Sequence, residues 1–226
     1  MTVQTHLDRA YDAKMVQYFA NARRDLVDPL PVNRDLRVLE LGCGAGSTGA
    51  LALREGKCGA WVGIERHGPA ADEAASILTG VIAGDVDALD IPYTEASFDL
   101  LVMGEVLEHL PDPDMTLKRL TRFVRPGGQV LATTPNIGHW RIVAGLMAGR
   151  FDYEAEGVMD RTHLKWFTPR SLKRAFEQAG VCDVRVRPYG WTDRGVALTG
   201  ALPFRHLLWR QIEARGTMGP VHPATS

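Results

Sequence analysis

The chain has 226 residues, 45% hydrophobic and 23% charged, with a formal net charge of −1. That length suits one α/β domain with modest additions rather than two full domains. No apolar stretch approaches the roughly 20 residues needed to cross a bilayer, and the balanced charge argues against a dedicated nucleic-acid-binding protein.

The balance conceals an asymmetry, because residues 161–226 hold eleven Lys/Arg against four Asp/Glu and the first 160 hold fifteen against twenty-three. A basic end of this kind suits phosphates or an anionic surface, or is a solvated face. The opening MTVQTHLDRAYDAK has no apolar signal core. Cys43, Cys58 and Cys182 are odd in number and form no CxxC pair. A reduced, cytoplasmic protein is the expectation.

Residues 8–25 carry Tyr11, Met15, Tyr18, Phe19 and Ala22 at helical spacing and predict an amphipathic entry helix. LRVLELG (36–42), AWVGIER (60–66), GVIAGDV (80–86), FDLLVMG (98–104) and, after the turn RPGG, GQVLATT (128–134) are short apolar runs separated by helix-length intervals. That rhythm predicts a parallel sheet with crossover helices. Residues 135–168 break it with a long segment rich in aromatics and small residues, expected to be a lid or binding element. Thr168 reads as an N-cap with Pro169 at the first helical position, opening a helix to Ala179 that Gly180 stops. VCDVRVR (181–187) predicts a more exposed strand, and Leu207, Leu208, Trp209 and Ile212 predict a helix over 202–215.

In an open parallel sheet, ligands bind at the carboxyl ends of the strands. There ELGCGAGSTG (40–49) supplies Gly42, Gly44, Gly46 and Gly49, which let the backbone turn sharply and approach a ligand. Positions 44–49 also satisfy GxGxxG, so a nicotinamide-binding reading stays open. Against it, a carboxylate at Glu40 suits a cationic ligand and repels a pyrophosphate. Glu65, closing the second strand, can accept both ribose hydroxyls, and Asp85 can accept an exocyclic amine. Three strand-end acids around a glycine loop describe a pocket for a positively charged nucleoside.

These stretches, in this order, resemble the class I S-adenosylmethionine-dependent methyltransferases over residues 36–134. VLELGCGAGSTG looks like their glycine-rich motif, WVGIER like the ribose-binding strand, GDV like the adenine motif, and FDLLVMGEVLEHL with RPGG like the fourth-strand motif and the turn before the fifth. The resemblance implies a Rossmann-like, doubly wound, mostly parallel seven-stranded α/β sheet with a lid insertion after the fifth strand. It implies S-adenosylmethionine as cofactor, with Gly42, Gly44 and Gly46 under its methionine and ribose, Glu65 on the ribose, and Asp85 and Val86 flanking adenine. Glu40, Arg66, Met103 and Gly104 complete the expected cofactor site. The implied organisation is a single domain over 1–226: helical entry 1–35, cofactor core 36–134, substrate lid 135–168 and C-terminal part 169–226.

TPN, HWR, GRFDY and DRTHLKWFTPRSL resemble bacterial methyltransferases associated with glycan genes, which implies a saccharide or other small hydroxylated acceptor. His139, Trp140, Phe151, Tyr153, His163, Trp166 and Phe167 are then candidates to line it, with ordinary packing as the alternative for each.

GEVLEHL (104–110) places two carboxylates and an imidazole close together. If a helix begins at 105, Glu105, Glu108 and His109 stand at i, i+3 and i+4 on one face. With His163 they suit Mg²⁺ or Mn²⁺. This pattern resembles metal-dependent 2′-O-methyltransferases of small RNA and, in part, ubiquinone-pathway O-methyltransferases. Alternatively the carboxylates cap or solvate the helix and His109 is a general base, with an ordinary pKa of about 6.5. An O-methyltransferase of small molecules, an RNA ribose methyltransferase, and a silent or nicotinamide-binding module all remain open from the residues alone. The expected state is monomer or homodimer, with 202–215 as a candidate peripheral membrane contact.

Overall fold

The computed structural model describes residues 22–190 and 204–220. Most of the expected entry helix lies outside them. The chain divides into two compact units, Met1–Tyr93 and Thr94–Ser226.

The first unit holds the helical turn α1 (Arg24–Val27), β1 (Arg37–Leu41), α2 (Ser47–Arg54), β2 (Ala60–Glu65), α3 (Gly68–Ala75) and β3 (Gly80–Ala83). β1 pairs with β2 and β2 with β3, both parallel. Val38, Leu39 and Leu41 of β1 and Trp61, Val62 and Ile64 of β2 are buried, as continuous apolar runs in a parallel sheet should be. Glycine brings α2 onto this sheet: a Cβ on Gly49 would lie 2.4 Å from Trp61 Cδ1 and 2.6 Å from Leu78 Cδ2.

The second unit holds β4 (Phe98–Gly104), a 3-10 turn (Leu107–His109), α4 (Pro113–Thr121), β5 (Val124–Pro135), α5 (Trp140–Met147), α6 (Pro169–Gln178), β6 (Val181–Tyr189), a second 3-10 turn (Arg205–Leu208) and β7 (Gln211–Met218). β4 and β5 are parallel, whereas β7 runs antiparallel to both β5 and β6. The seven strands have the order β3-β2-β1-β4-β5-β7-β6, a mostly parallel, Rossmann-like α/β sheet. The expected strand and helix order holds in most places. Thr168 caps α6, accepting the Ser171 N–H at 3.2 Å, and Gly180 follows its end at φ +84°.

Three expectations fail. Residues 128–134 are only part of a longer strand that runs from Val124 through RPGG, with a register shift against β4 between Phe98 and Leu100. Residues 105–110 form no α-helix, because Glu105 adopts φ +56° and only Leu107–His109 turn, as 3-10, before Pro111. The segment 202–215 is no helix where described. Arg205–Leu208 form a 3-10 turn, and the rest enters β7, between β5 and β6, where Ile212 and Ala214 are fully buried. The apolar residues taken for one helical face thus belong to two elements. Gly216 admits the close strand packing there, since a Cβ on it would meet Val181 Cγ1 at 2.5 Å. With Ile212 and Ala214 buried in the sheet, the amphipathic helix expected over 202–215 does not form.

Candidate functional site

In the first unit, the loop between β1 and α2 is built by positive φ at Gly42 (+73°), Gly44 (+54°) and Gly46 (+83°), values that L side chains rarely adopt. The Gly42 and Cys43 amides donate to the Ile64 carbonyl at 2.8 and 3.3 Å, and Gly46 N–H donates to Cys43 O at 2.9 Å. Gly46 is the N-cap of α2, whose first turn carries no acidic residue. A helix start of this kind presents backbone N–H groups to an anion such as a carboxylate.

Glu65 stands at the tip of β2 and is buried. Its Oε2 accepts the Gly44 N–H and its Oε1 the His67 N–H, each at 2.8 Å. One carboxylate therefore holds the glycine loop and the entry to α3 together. Each oxygen keeps a second lone pair, so ribose hydroxyls can still be received.

Glu40 is buried and accepts the Trp61 indole N–H at 2.7 Å. Burial pushes its carboxyl up from 4.5 to about 7, against the Trp61 hydrogen bond and Arg23, which lower it, while Glu65 raises it further. Burial, reinforced by Glu40 and Glu65, also pushes the Cys43 thiol far up, and burial takes Cys58 to about 11. Neither is a thiolate nucleophile at neutral pH. Asp85, after β3, accepts the Asp87 N–H at 3.0 Å and lies 3.9 Å from Arg66 in an exposed pair. Val86 beside it is buried, and Gly84 N–H ties this turn to Glu65 O at 2.8 Å.

In the second unit, β4 ends in Met103, whose side chain is fully buried, and Gly104. Glu105 N–H continues the sheet by donating to Thr133 O at 3.0 Å. Its Oε2 accepts from Gln211 Nε2 at 3.0 Å, a partner more than a hundred residues away that the sequence did not suggest. The 3-10 turn instead groups Glu108, His109 and His163: one carboxylate oxygen and one ring nitrogen from each histidine lie within 4.8 Å of one another. Glu105 stands outside that group. The expected convergence of Glu105, Glu108 and His109 on one helical face is corrected accordingly, since a left-handed residue followed by a 3-10 turn lacks the i, i+4 alignment.

The insertion folds back over this turn through its own backbone. Leu164 and Lys165 N–H donate to Glu108 O at 2.7 and 3.0 Å. His109 Nδ1 lies 3.2 Å from Thr162 O and His163 Nδ1 3.0 Å from Val158 O. Because a carbonyl only accepts, each contact is a hydrogen bond when the proton sits on Nδ1, and in the neutral ring that tautomer makes Nε2 the acceptor. The rings meet edge to face, centroids 4.9 Å apart. Asp160 accepts from both N and Oγ1 of Thr162 at 2.8 Å, fixing the loop between the two carbonyls.

The other expected lining residues divide. His139 is buried and caps α5, and Phe167 is buried beside β5. Phe151, Tyr153 and Trp166 form one cluster, with ring centroids 5.6 to 6.2 Å apart, on which Phe151 and Tyr153 are exposed. Trp140 is exposed and lies 5.5 Å from the Arg141 guanidinium. Asn136, the last residue of TPN and assigned no role from the sequence, donates to His206 O and Trp209 O at 2.9 and 2.8 Å and accepts the Gly138 N–H at 3.0 Å. It pins the start of the insertion to the segment before β7.

A glycine loop on a helix start, with acids near the ends of the first two strands and a third after β3, is the arrangement expected of an adenosylmethionine-type methyltransferase. A model of the methyltransferase domain matches residues 5–185, which include parts of both units, and the chain belongs to that family. It is a class I S-adenosylmethionine-dependent methyltransferase. Demethylmenaquinone methyltransferase of Staphylococcus aureus is 25% identical over 206 residues, 84% of this chain and 82% of the relative. Among solved structures, a methyltransferase in complex with the Haloferax volcanii Trm112 activator superposes with a TM-score of 0.64 at 17% identity, covering 95% and 96% of the two chains. Haemonchus contortus phosphoethanolamine N-methyltransferase 2, bound to phosphomonomethylethanolamine and S-adenosylhomocysteine, gives 0.63 at 15%, covering 84% of this chain and 50% of the other. No described helix is long and apolar enough to cross a membrane.

Proposed function

We propose that the protein transfers the methyl group of S-adenosylmethionine to a hydroxyl of a saccharide or comparable small ring-bearing metabolite. In this reading Gly42, Gly44 and Gly46 lie against the methionine and ribose, and Glu65 takes the ribose hydroxyls. Asp85 and Val86 hold adenine, with Glu40, Arg66, Met103 and Gly104 completing the site. The single observation behind the acceptor chemistry is the 3.2 Å contact of His109 Nδ1 with Thr162 O: the tautomer that makes it a hydrogen bond, Nδ1–H donating, leaves Nε2 as the base. As the acceptor oxygen forms its bond to the methyl carbon and the carbon–sulfur bond breaks, the hydroxyl proton passes to Nε2. The sulfonium leaves as a neutral thioether. The Phe151, Tyr153 and Trp166 rings offer flat apolar faces of the kind sugars stack on.

A second reading is supported by the grouping of Glu108, His109 and His163. Two imidazoles, each held through Nδ1 by a backbone carbonyl, plus one carboxylate are a donor set for a divalent ion. Nitrogen ligands favour Mn²⁺ over Mg²⁺. An ion held there would polarise the acceptor hydroxyl, and Glu105 is not among its protein ligands. A quinol acceptor is the further alternative, supported by the relative named for demethylmenaquinone.

The test is transfer of labelled methyl into polysaccharide, small-molecule, lipid and RNA fractions, with EDTA or added Mn²⁺. Label in saccharide or small-molecule fractions that survives EDTA and falls in His109→Ala supports the first reading. Label that requires Mn²⁺ and is lost in both Glu108→Gln and His163→Ala supports the second. Label confined to a prenylated lipid or to RNA overturns the saccharide assignment.

A further inference from the structure

The helix α5 poses a packing problem that methyl transfer does not answer. It has Trp140, Ile142, Val143, Leu146 and Met147 among its eight residues, yet not one of the eight is buried. Met147 is 85% exposed. Apolar exposure continues beyond the helix: of the eleven exposed large hydrophobic side chains among the described residues, Trp140, Leu146, Met147, Phe151, Tyr153 and Leu164 fall within 25 consecutive positions. Scattered apolar residues on a surface are ordinary, but a concentration of this kind marks a contact surface.

Charge decides what the surface fits. Between Ile137 and Phe151 there is no Asp or Glu, while Arg141 and Arg150 stand near the two ends of the helix; carboxylates resume only at Asp152. An apolar helix with cationic ends and a tryptophan beside an arginine is the pattern of a segment lying in the headgroup layer of a membrane. Eight residues make about 12 Å of helix, long enough to lie in the interface and far too short to cross it. A symmetric contact with a second copy would bring the same arginines together with no carboxylate in the segment to offset them.

We infer that α5, with its exposed Trp140, Leu146 and Met147, docks the protein on an anionic phospholipid surface. The apolar side chains enter the acyl boundary, and Arg141 and Arg150 meet lipid phosphates. The contact sits on the insertion.

The experiment is co-sedimentation of the full chain with phosphatidylglycerol-containing vesicles and with pure phosphatidylcholine vesicles, beside the double variant Leu146→Glu/Met147→Glu. Both positions are exposed, and adenosylmethionine affinity measured by calorimetry verifies that the variant is folded. The expected result is binding of the wild-type chain that favours phosphatidylglycerol and weakens with salt, reduced about 10-fold or more in the double variant. Arg141→Glu/Arg150→Glu should abolish the preference for the anionic lipid. Equal sedimentation of the wild type and the Leu146/Met147 variant overturns the inference, as does a wild-type chain that stays in solution with both vesicles. A dimer seen by light scattering that the double variant dissociates, without vesicle binding, assigns the surface to a second copy instead. Vesicle binding needs no acceptor, so its outcome is independent of the saccharide assignment.

Discussion

Glu40 links the stability of the first unit to pH. Its carboxyl titrates near 7 in the folded chain because burial penalises the charged form, against 4.5 ordinarily. Below about pH 4.5 it is protonated in both states and contributes nothing unfavourable. As pH rises the unfolded chain gives up this proton first, so the folded state binds more protons and stability falls until pH passes about 7. The cost of ionising it in place is then about 3 kcal/mol, from roughly 1.4 kcal/mol per pH unit. Glu40→Gln keeps an amide oxygen for the Trp61 N–H, which now meets Glu40 at 2.7 Å, and removes the charge. Urea unfolding across this range should show wild type and variant converging near pH 4.5 and the variant more stable by about 2–3 kcal/mol near pH 8. The same variant should bind adenosylmethionine more weakly, because a cationic ligand loses its buried counter-charge. Parallel stability curves for the two proteins would refute the account of Glu40 as a strained, buried carboxylate.

Two further outcomes follow from the first unit. Glu65→Gln leaves one of the two backbone donors, Gly44 or His67 N–H, facing an amide NH₂, so the glycine loop loosens; calorimetry should show adenosylmethionine affinity lower by about 10- to 100-fold, the loss of a charged hydrogen bond of about 1.5–3 kcal/mol. Gly49→Val would drive a side chain into Trp61 and Leu78, and should lower the urea midpoint by an amount equal to about 2–3 kcal/mol with altered tryptophan fluorescence.

The parts of the fold legible in the sequence are those where local chemistry and tertiary packing ask for the same thing. The apolar runs of β1, β2, β4 and the second half of β5 were readable because a strand buried on both faces needs continuous apolar side chains, whereas β3, at the sheet edge, is only partly buried. Thr168-Pro169 was readable because a cap acts within three residues. The two helix errors share one cause. In GEVLEHL, apolar spacing matches a helix, but Glu105 N–H is recruited by Thr133 O and Glu105 itself turns left-handed at φ +56°, so no α-helix starts there. Around 205–215, Leu207, Leu208, Trp209 and Ile212 match a helix too, but the sheet takes Ile212 into the position between β5 and β6. Non-local pairing won over periodicity in both places.

The candidate site shows the same division at finer grain. The glycines and acids of the first unit announce themselves by spacing, yet Glu65 holding Gly44 is a contact across 21 residues that no local pattern encodes. The histidines go further. His109 and His163 are ordinary imidazoles in sequence, and what makes each an Nε2 acceptor is the carbonyl of Thr162 or Val158 opposite its other nitrogen. Both carbonyls belong to the insertion, and Asp160 between them holds Thr162 by two hydrogen bonds. In the reading that makes His109 the base, its tautomer depends on how the 158–163 loop is folded. A change at Asp160 that touches neither imidazole can free His109 to adopt the other tautomer, which turns Nε2 from acceptor to donor and removes the base without removing the residue.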